Sequence, residues 1–294
     1  MTTLLEIKEK MLKKLPPSED ANYIREKLSE IGKNPKRPLG KLNPWAWFIE
    51  PVRGCNLSCA FCTLKLIQKT EKAYKFITKE TWGNILEVIA EVSPFTKLEM
   101  ANAGEPTLHP ELLDLIAMTR KRLPRIQITS YTNGVRLMKG EITYRQLFDA
   151  GLNMIFVDMY SPLEKHQKLA EASGEEWYYK YDKKPDQKDV FTNHAQKDPD
   201  IKLICLAENP GNWPNRRFSA GRYHTFLNDL DWPVAKKMGL EPVKIAPKRR
   251  CDQANRHVNI NWDGTYLFCC FDMLRNSVNN FGNINNGLED FMEF

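Results

Sequence analysis

Short apolar runs alternate with amphipathic stretches along much of the chain. The runs have the length of buried strands, and the stretches between them repeat their apolar residues at helical spacing. The pattern predicts strands at residues 46–52, 97–102, 127–132, 154–160 and 201–207. It predicts helices that open near Thr78 and Pro110, and a helix over residues 144–150. Strands and helices that alternate in this way indicate parallel β-α units and a full or partial barrel.

Three stretches depart from this alternation. Residues 1–45 predict helices followed by a proline-rich linker. Residues 163–199 are polar and charged, and predict an inserted excursion that contains a helix or is irregular and is a candidate substrate cover. Residues 258–269 alternate in polarity around Asp263-Gly264, which predicts a hairpin.

The predicted organisation therefore has three parts. A helical extension occupies residues 1–45, a core barrel occupies residues 46–225, and a small C-terminal segment occupies residues 226–294. The insertion belongs to the core barrel.

Composition narrows the class of protein. Hydrophobic residues make up 42% of the 294 residues and charged residues 27%, which is ordinary for a soluble globular protein. No run approaches the ~18 apolar residues of a membrane span, and the first residues lack the pattern of a secretory signal. We therefore expect a cytoplasmic protein without a membrane partner. The net charge of +6 is compatible with an anionic substrate, with a nucleic acid, or with a solvated basic surface.

Clustered cysteines supply the main chemical signal. Cys55, Cys59 and Cys62 fall in one loop after the first predicted strand, with the spacing Cys-x3-Cys-x2-Cys. In a reducing compartment such a cluster indicates a metal or redox site more than disulfides. Three thiolates can hold a [4Fe–4S] cluster with one iron left open, because a complete electron-transfer cluster takes four. An open iron can chelate the amino and carboxylate groups of a small molecule. Zinc with four ligands, or a ferredoxin-like cluster completed by a distant cysteine, are the alternatives.

The same loop resembles the signature of the radical S-adenosylmethionine (radical SAM) superfamily, Cys-x3-Cys-x-aromatic-Cys. Phe61 occupies the aromatic position, next to the cofactor in the family. The resemblance covers residues 46–225 and implies a partial (β/α)6 TIM-like barrel. It implies that Cys55, Cys59 and Cys62 hold a [4Fe–4S] cluster that cleaves S-adenosylmethionine reductively. It also implies a reductant such as flavodoxin or ferredoxin.

A second segment, residues 102–110, resembles the family's Gly-Gly-Glu-Pro-Thr-Leu-x-Pro motif, with Ala103 at the first glycine. The resemblance implies that Gly104, Glu105 and Pro106 bind the methionyl part of the cofactor. The carboxylate of Glu105 and the backbone carbonyls can accept charge-assisted hydrogen bonds from its ammonium group. Gly104 allows a close approach of the backbone.

Two further strand ends continue the resemblance. Residues 130–134 are similar to a segment that ends in Thr-Asn-Gly in the family, which implies that Ser130 and Asn133 meet the ribose or carboxylate of the cofactor. A turn that leads into a helix is the structural alternative. Asp158 corresponds to a polar position near the ribose, and a strand-end cap is its alternative.

The remaining cysteines lie mostly near the C-terminus. Cys251, Gly264, Cys269 and Cys270 resemble the opening of the modules called SPASM and Twitch, which implies an auxiliary iron–sulfur cluster. Residues 271–294 lack the later cysteines of those modules, so a cluster here needs a non-thiolate or substrate ligand, or the module holds no metal. A thiol of Cys251, Cys269 or Cys270 is also a candidate hydrogen-atom donor. Cys205 lies in an apolar strand and is expected in the core.

Together these features predict an enzyme that generates a 5′-deoxyadenosyl radical. That radical is expected to take a hydrogen atom from a peptide or small-molecule substrate, leading to oxidation, epimerisation or cross-linking. Modification of a nucleotide or nucleic acid by the same chemistry is the alternative that the basic charge supports. A non-catalytic iron–sulfur protein, acting as an electron carrier or sensor, is the alternative of a different class.

Overall fold

The computed structural model describes most of the core and part of the C-terminal segment. The described residues are 44, 46–59, 64, 68, 71, 73–94, 96–100, 104–159, 162–179, 201–208, 257–267, 282–288 and 290. The predicted N-terminal helices therefore lie outside the described residues. So do the predicted site residues Phe61, Cys62, Cys251, Cys269 and Cys270.

Strands and helices alternate through the described core. The strands are β1 (Ala46–Ile49), β2 (Val52–Arg53), β3 (Lys75–Phe76), β4 (Lys97–Met100), β5 (Gln127–Thr132), β6 (Met154–Met159), β7 (Glu176–Tyr179), β8 (Leu203–Glu208), β9 (His257–Ile260) and β10 (Tyr266–Leu267). The helices are α1 (Lys79–Val92), α2 (Leu112–Arg122), α3 (Val135–Met138), α4 (Tyr144–Asp149) and α5 (Leu163–Ser173). Two short 3-10 helices cover Pro106–Leu108 and Ile284–Asn286.

The main sheet confirms the predicted α/β class. Its strands lie in the order β10-β9-β1-β4-β5-β6-β8-β7, and neighbours are parallel except for the pair β9 and β10. Among the described strands this sheet is open. A separate antiparallel pair, β2 and β3, lies at the base of the cysteine loop.

The two faces of the main sheet carry different side chains. One face packs on the helices and contains Met100, Ile155 and Ile204, which are neighbours in the strand register. The opposite face carries a smaller cluster in which the rings of Tyr131 and Phe156 stack with centroids 4.6 Å apart. Because side chains alternate along a strand, the register assigns every residue of β5 and β6 to one of these faces.

Helix α1 begins and packs as its sequence predicts. The Thr78 side chain accepts a hydrogen bond from Thr81 N at 3.0 Å and so caps the first turn. Its apolar side includes Trp82, whose indole nitrogen donates to Leu115 O and to the Thr119 hydroxyl at 3.1 and 2.9 Å. A fully buried indole therefore joins α1 to α2 without an unsatisfied donor.

Several boundaries differ from the sequence prediction for physical reasons. The first predicted strand is interrupted at Pro51, which has no N–H for the sheet, and it divides into β1 and β2. Helix α2 begins at Leu112 rather than at Pro110, because Glu111 N donates to the His109 ring at 3.1 Å in the preceding turn. The stretch predicted as an insertion contains α5, as expected, and also β7, which pairs in parallel with β8.

The predicted C-terminal hairpin is confirmed, but its place in the sheet was not predicted from the sequence. Strands β9 and β10 are antiparallel around Asp263 and Gly264. Strand β9 also pairs in parallel with β1, with Ala46 opposite His257 and Ile49 opposite Ile260. The hairpin therefore extends the core sheet instead of standing apart from it.

Among the described helices, none is long and apolar enough to cross a bilayer.

The buried His109 gives a pH dependence to stability. Glu111 N donates to Nδ1, so the ring proton is on Nε2, which faces Ile77 O at 2.9 Å. Burial lowers the pKa of His109 below its ordinary value of 6.5, and burial also lowers the pKa of His166. As the pH falls, the unfolded chain therefore takes up these protons first. The stabilisation that the neutral His109 contributes to the folded state is complete above pH 6.5, and it is lost as the pH falls below that value.

We expect the free energy of unfolding to decrease from about pH 7 to about pH 5, and to decrease less steeply in His109→Gln. Denaturant unfolding at several pH values, followed by circular dichroism, measures both slopes. His166 keeps part of the slope in the variant. Identical slopes in the two proteins would contradict the assignment to His109.

Candidate active site at the ends of the parallel strands

Polar and thiol side chains gather beyond the carboxyl ends of β1, β4, β5 and β6. The cysteine loop follows β2, the segment that begins at Gly104 follows β4, and Asn133 follows β5. In parallel α/β sheets this edge is where loops from successive strands meet. The described contacts below show that these three segments touch one another.

The cysteine loop turns its first sulfur toward N–H donors. Cys55 and Cys59 are half-buried thiols rather than halves of a disulfide. Leu57 N donates to Cys55 Sγ at 3.4 Å, and Asn133 Nδ2 donates to the same sulfur at 3.4 Å, while the thiol itself donates to Asn56 Oδ1 at 3.7 Å. Gln68 Nε2 holds the loop backbone by donating to Cys55 O at 2.6 Å. A sulfur that receives N–H donors is suited to carry a thiolate charge.

Gly104 permits the tightest contact of the site. A Cβ atom built on Gly104 would lie 1.6 Å from the carbonyl oxygen of Val52 and 3.1 Å from that of Gly54. The next residue completes the contact, because Glu105 N donates to Gly54 O at 2.9 Å. The residue just before Cys55 is therefore bound to the loop after β4, and only glycine fits at position 104.

The Glu105 carboxylate is buried and is satisfied within the protein. Its Oε1 accepts hydrogen bonds from Thr107 N at 3.1 Å, from the Thr107 hydroxyl at 2.6 Å and from the Thr132 hydroxyl at 2.7 Å. Its Oε2 accepts from Asn133 N at 2.7 Å. The side chain is 2% exposed. Glu105 therefore joins the turn after β4 to the end of β5, and Pro106 begins the 3-10 turn that it caps.

The turn after β5 is built to orient Asn133. Asn133 Oδ1 accepts from Val135 N at 3.0 Å, and Asn133 Nδ2 donates to Asn56 Oδ1 at 2.7 Å as well as to Cys55. Gly134 has a φ of +74°, and a Cβ there would lie 2.8 Å from Val157 and from His166. Asn133-Gly134 is thus both a helix entry and a contact to the cysteine loop.

A small cavity lies beside the first cysteine. Its volume is about 190 Å³, and its walls are Arg53, Gly54, Cys55, Gln68, Glu71, Ala73 and Tyr74. The Arg53 guanidinium forms a two-pronged contact with the Glu71 carboxylate, with N···O distances of 2.9 to 3.2 Å. This ion pair joins two residues of the cavity wall.

The predicted cofactor residues do not all lie in the same part of the site. It brings Gly104, Glu105 and Asn133 together with Cys55, as described above. Asp158 follows Phe156 on the face opposite the helices and is half-buried. Asp158 therefore lies on the same face as Tyr131 and Phe156.

Ser130 does not share that position. It pairs with Met100 on one side and Ile155 on the other, so its side chain belongs to the helix-facing side of the sheet. It is 1% exposed, and its hydroxyl has no hydrogen-bond partner among the residues that the structure describes. The contact of Ser130 with the cofactor stays a prediction, and the alternation of β5 places this side chain on the face opposite to that of Tyr131.

The sequence reasoning missed three side chains that hold the site. Thr107 and Thr132 donate their hydroxyls to Glu105, and Gln68 holds the cysteine loop. The position of Thr107 two residues after a candidate carboxylate was a usable signal, since such residues often cap a turn. No local signal connects Thr132 or Gln68 to their partners. Cys205 is fully buried in β8, as expected of a core residue.

Comparison with known families decides the class of this site. The radical SAM superfamily model matches residues 49–180, which include the cysteine loop and the ends of β4 and β5. The SPASM model, described as an iron–sulfur cluster-binding domain, matches residues 251–293. The chain belongs to the radical SAM superfamily. The matches support a [4Fe–4S] cluster and S-adenosylmethionine as the cofactors of this radical SAM protein. The SPASM match is consistent with a second iron–sulfur cluster.

Solved structures share the fold of this radical SAM protein. BtrN, solved in complex with AdoMet and 2-DOIA, is 15% identical, with a TM-score of 0.56 over 86% of this chain and 83% of BtrN. SuiB of Streptococcus suis, solved with the precursor peptide SuiA, is 14% identical, with a TM-score of 0.51 over 95% of this chain and 70% of SuiB. At such low identity the likeness concerns the fold.

A curated relative is similar over a shorter region. The UPF0026 protein of Helicobacter pylori is 30% identical over 82 residues, which are 27% of this radical SAM chain and 27% of the relative. The match thus spans about a quarter of that relative's length.

The donor set around Cys55 fits the cluster that the family requires. A thiolate that binds iron keeps its charge, and two N–H groups already face this sulfur. The cavity beside it leaves room next to the loop.

The contact at Gly104 leads to a first test of the radical SAM site. We expect Gly104→Ala to separate the cysteine loop from the turn after β4, because its Cβ would overlap the Val52 carbonyl. Stability should fall by about 1–3 kcal/mol or more, and iron retained after anaerobic reconstitution should drop. Gly83→Ala is the matched control, since nothing lies within 4 Å of a Cβ there. Equal iron content and thermal midpoints in both variants would contradict the role of Gly104.

The buried carboxylate gives a second test. Glu105→Gln keeps the size of the side chain and replaces one acceptor oxygen by an NH2 group that faces donors. We expect a loss of about 1–3 kcal/mol in the free energy of unfolding. The exposed Glu164→Gln should change it by about 0.5 kcal/mol or less. Urea unfolding of the apoproteins measures both values, and similar losses would refute a special role for Glu105.

Proposed function

We propose that this chain cleaves S-adenosylmethionine reductively and modifies a peptide or a small molecule by oxidation, epimerisation or cross-linking. The observation that carries the proposal is the joint contact of three segments at one sheet edge. Cys55, Glu105 and Asn133 are linked there by direct hydrogen bonds. Parallel strands bring these motifs, which are 50 to 80 residues apart in the sequence, to one edge of the sheet. Their direct contacts at that edge support a single shared site.

Cys55, Cys59 and Cys62 are the proposed ligands of the [4Fe–4S] cluster. When bound, the cluster supplies the electron that breaks S-adenosylmethionine into methionine and a 5′-deoxyadenosyl radical, which takes a hydrogen atom from the substrate. The loop keeps Cys55 in place through Gln68 and Gly54. A fixed loop is needed because small errors in position are costly for a reaction between bound groups.

The proposed cofactor contacts divide by location. Gly104 brings the backbone after β4 against the cysteine loop, where carbonyl groups can accept the methionyl ammonium. Asp158 and Asn133 are proposed to face the ribose side, and Phe61 to lie beside the cofactor. Glu105 and Pro106 are proposed to contribute to cofactor binding by holding the turn that carries these groups, since Glu105 accepts hydrogen bonds at both of its oxygens.

The face opposite the helices is the proposed floor of the substrate chamber. Tyr131 stacks on Phe156, and Cys205 and Met154 lie in the same apolar cluster. An apolar wall beneath the strand ends keeps water away from a reactive carbon radical.

The substrate class and the C-terminal segment are inferred more broadly. A structure of the same fold was solved with a peptide and another with 2-DOIA, and these support a peptide or small-molecule substrate. Cys251, Cys269 and Cys270 are proposed as ligands of the auxiliary cluster or as hydrogen-atom donors. Flavodoxin or ferredoxin is the proposed reductant. We keep residues 1–45, 46–225 and 226–294 as the proposed division, with the hairpin joined to the core sheet.

Anaerobic turnover tests the function. The reconstituted protein is reduced with dithionite, supplied with S-adenosylmethionine, and assayed for 5′-deoxyadenosine by mass spectrometry. We expect product from the native chain. The rate of 5′-deoxyadenosine formation should fall by about 100-fold or more when Cys55, Cys59 and Cys62 are all changed to Ala, because the reaction then has no electron donor. Cys205→Ala is the control thiol. A native chain that holds iron and sulfide but neither binds S-adenosylmethionine nor forms product would overturn the proposal.

The substrate class needs a separate assay. A cell extract that stimulates 5′-deoxyadenosine formation is divided by size, and each fraction is treated with peptidase or nuclease before assay. Stimulation that peptidase removes supports a peptide, and stimulation that survives both enzymes in the small fraction supports a small molecule. Stimulation that only nuclease removes would contradict the proposed substrate class.

A further inference from the structure

We propose that the side-chain amide of Asn133 sets the reduction potential of the cluster by donating a hydrogen bond to the Cys55 sulfur. The inference rests on the proposed function, since it takes Cys55 as a cluster ligand. It gives Asn133 a positioning and tuning role that differs from binding the ribose or carboxylate of the cofactor.

Distance and burial support this contact. Asn133 Nδ2 lies 3.4 Å from Cys55 Sγ, a normal length for a hydrogen bond to sulfur. Asn133 is 8% exposed, so little water competes for its amide. In such surroundings a hydrogen bond is electrostatically stronger than in water.

Three neighbours fix which end of the amide faces the sulfur. Asn133 Oδ1 accepts from Val135 N at 3.0 Å, so the NH2 end must point the other way. One of its hydrogens goes to Asn56 Oδ1 at 2.7 Å and the other is directed to Cys55. Glu105 Oε2 holds the backbone N–H of Asn133 at 2.7 Å. The buried carboxylate therefore places the donor.

The sign of the effect follows from charge. Reduction adds an electron to a cluster that is already bound by thiolates, so N–H donors stabilise the reduced form more than the oxidised form. Leu57 N is a backbone donor that substitution does not remove. Asn133 supplies a side-chain N–H, which substitution removes. Its loss should make the potential more negative and reduction by a flavodoxin-type donor harder.

The test is an anaerobic redox titration of the reconstituted protein without S-adenosylmethionine, followed by electron paramagnetic resonance. We expect Asn133→Ala to shift the midpoint to a more negative value. At a fixed potential the ratio of reduced to oxidised cluster should fall by about threefold to about tenfold, where tenfold equals about 59 mV for a one-electron couple. Asn84→Ala is the control, because Asn84 is also an amide donor but lies on α1 and bonds to Asn285.

If Asn133→Ala loses its cluster, the midpoint potential is measured in Asn133→Ser instead. The serine hydroxyl can still accept from Val135 N and keep the turn, but it is too short to reach the sulfur. A shift of the same sign in this variant supports the proposal. Full cluster loading with an unchanged midpoint in either variant overturns it. A native chain that shows no cluster signal would instead refute the proposed function, so the two failures are distinct.

Discussion

A buried carboxylate with no spare oxygen holds this site together. Glu105 takes four hydrogen bonds from two segments, and its own N–H binds the residue before Cys55. A charge removed from water is tolerated only when such partners surround it. The end of β5, the turn after β4 and the start of the cysteine loop must therefore keep their mutual positions whenever the protein is folded. Glu105 is therefore a structural joint between these three segments.

The parallel sheet explains why the joint can exist. Loops that leave β1, β4 and β5 emerge at one edge, so segments distant in sequence become neighbours without long excursions. Alternation along each strand then separates two faces. Met100 and Ile155 pack toward the helices, whereas Phe156 and Asp158 lie on the opposite face. Ser130 and Tyr131 show how a single step along a strand moves a side chain from one face to the other.

The parts of this fold that could be predicted are those that local chemistry determines. Thr78 begins a helix, Asp263-Gly264 begins a hairpin turn, and the cysteine spacing alone indicates a metal site. The parts that could not be predicted depend on distant partners. Nothing near Glu105 shows that Thr132 and Asn133 will occupy its oxygens, and nothing near His257 shows that β9 will lie beside β1. The strand register, the face on which each side chain lies and the partners of each hydrogen-bond acceptor are properties of the assembled sheet.

The pairing of β9 with β1 has a consequence for how the chain is made. Ala46 lies opposite His257, so the edge of β1 that pairs with β9 stays uncovered until about 200 further residues have left the ribosome. Such long-range pairings form slowly. An exposed strand edge invites pairing with other chains. A nascent chain would benefit from a chaperone over that interval, and versions cut before the hairpin should accumulate in inclusion bodies even though their cysteine loop is intact.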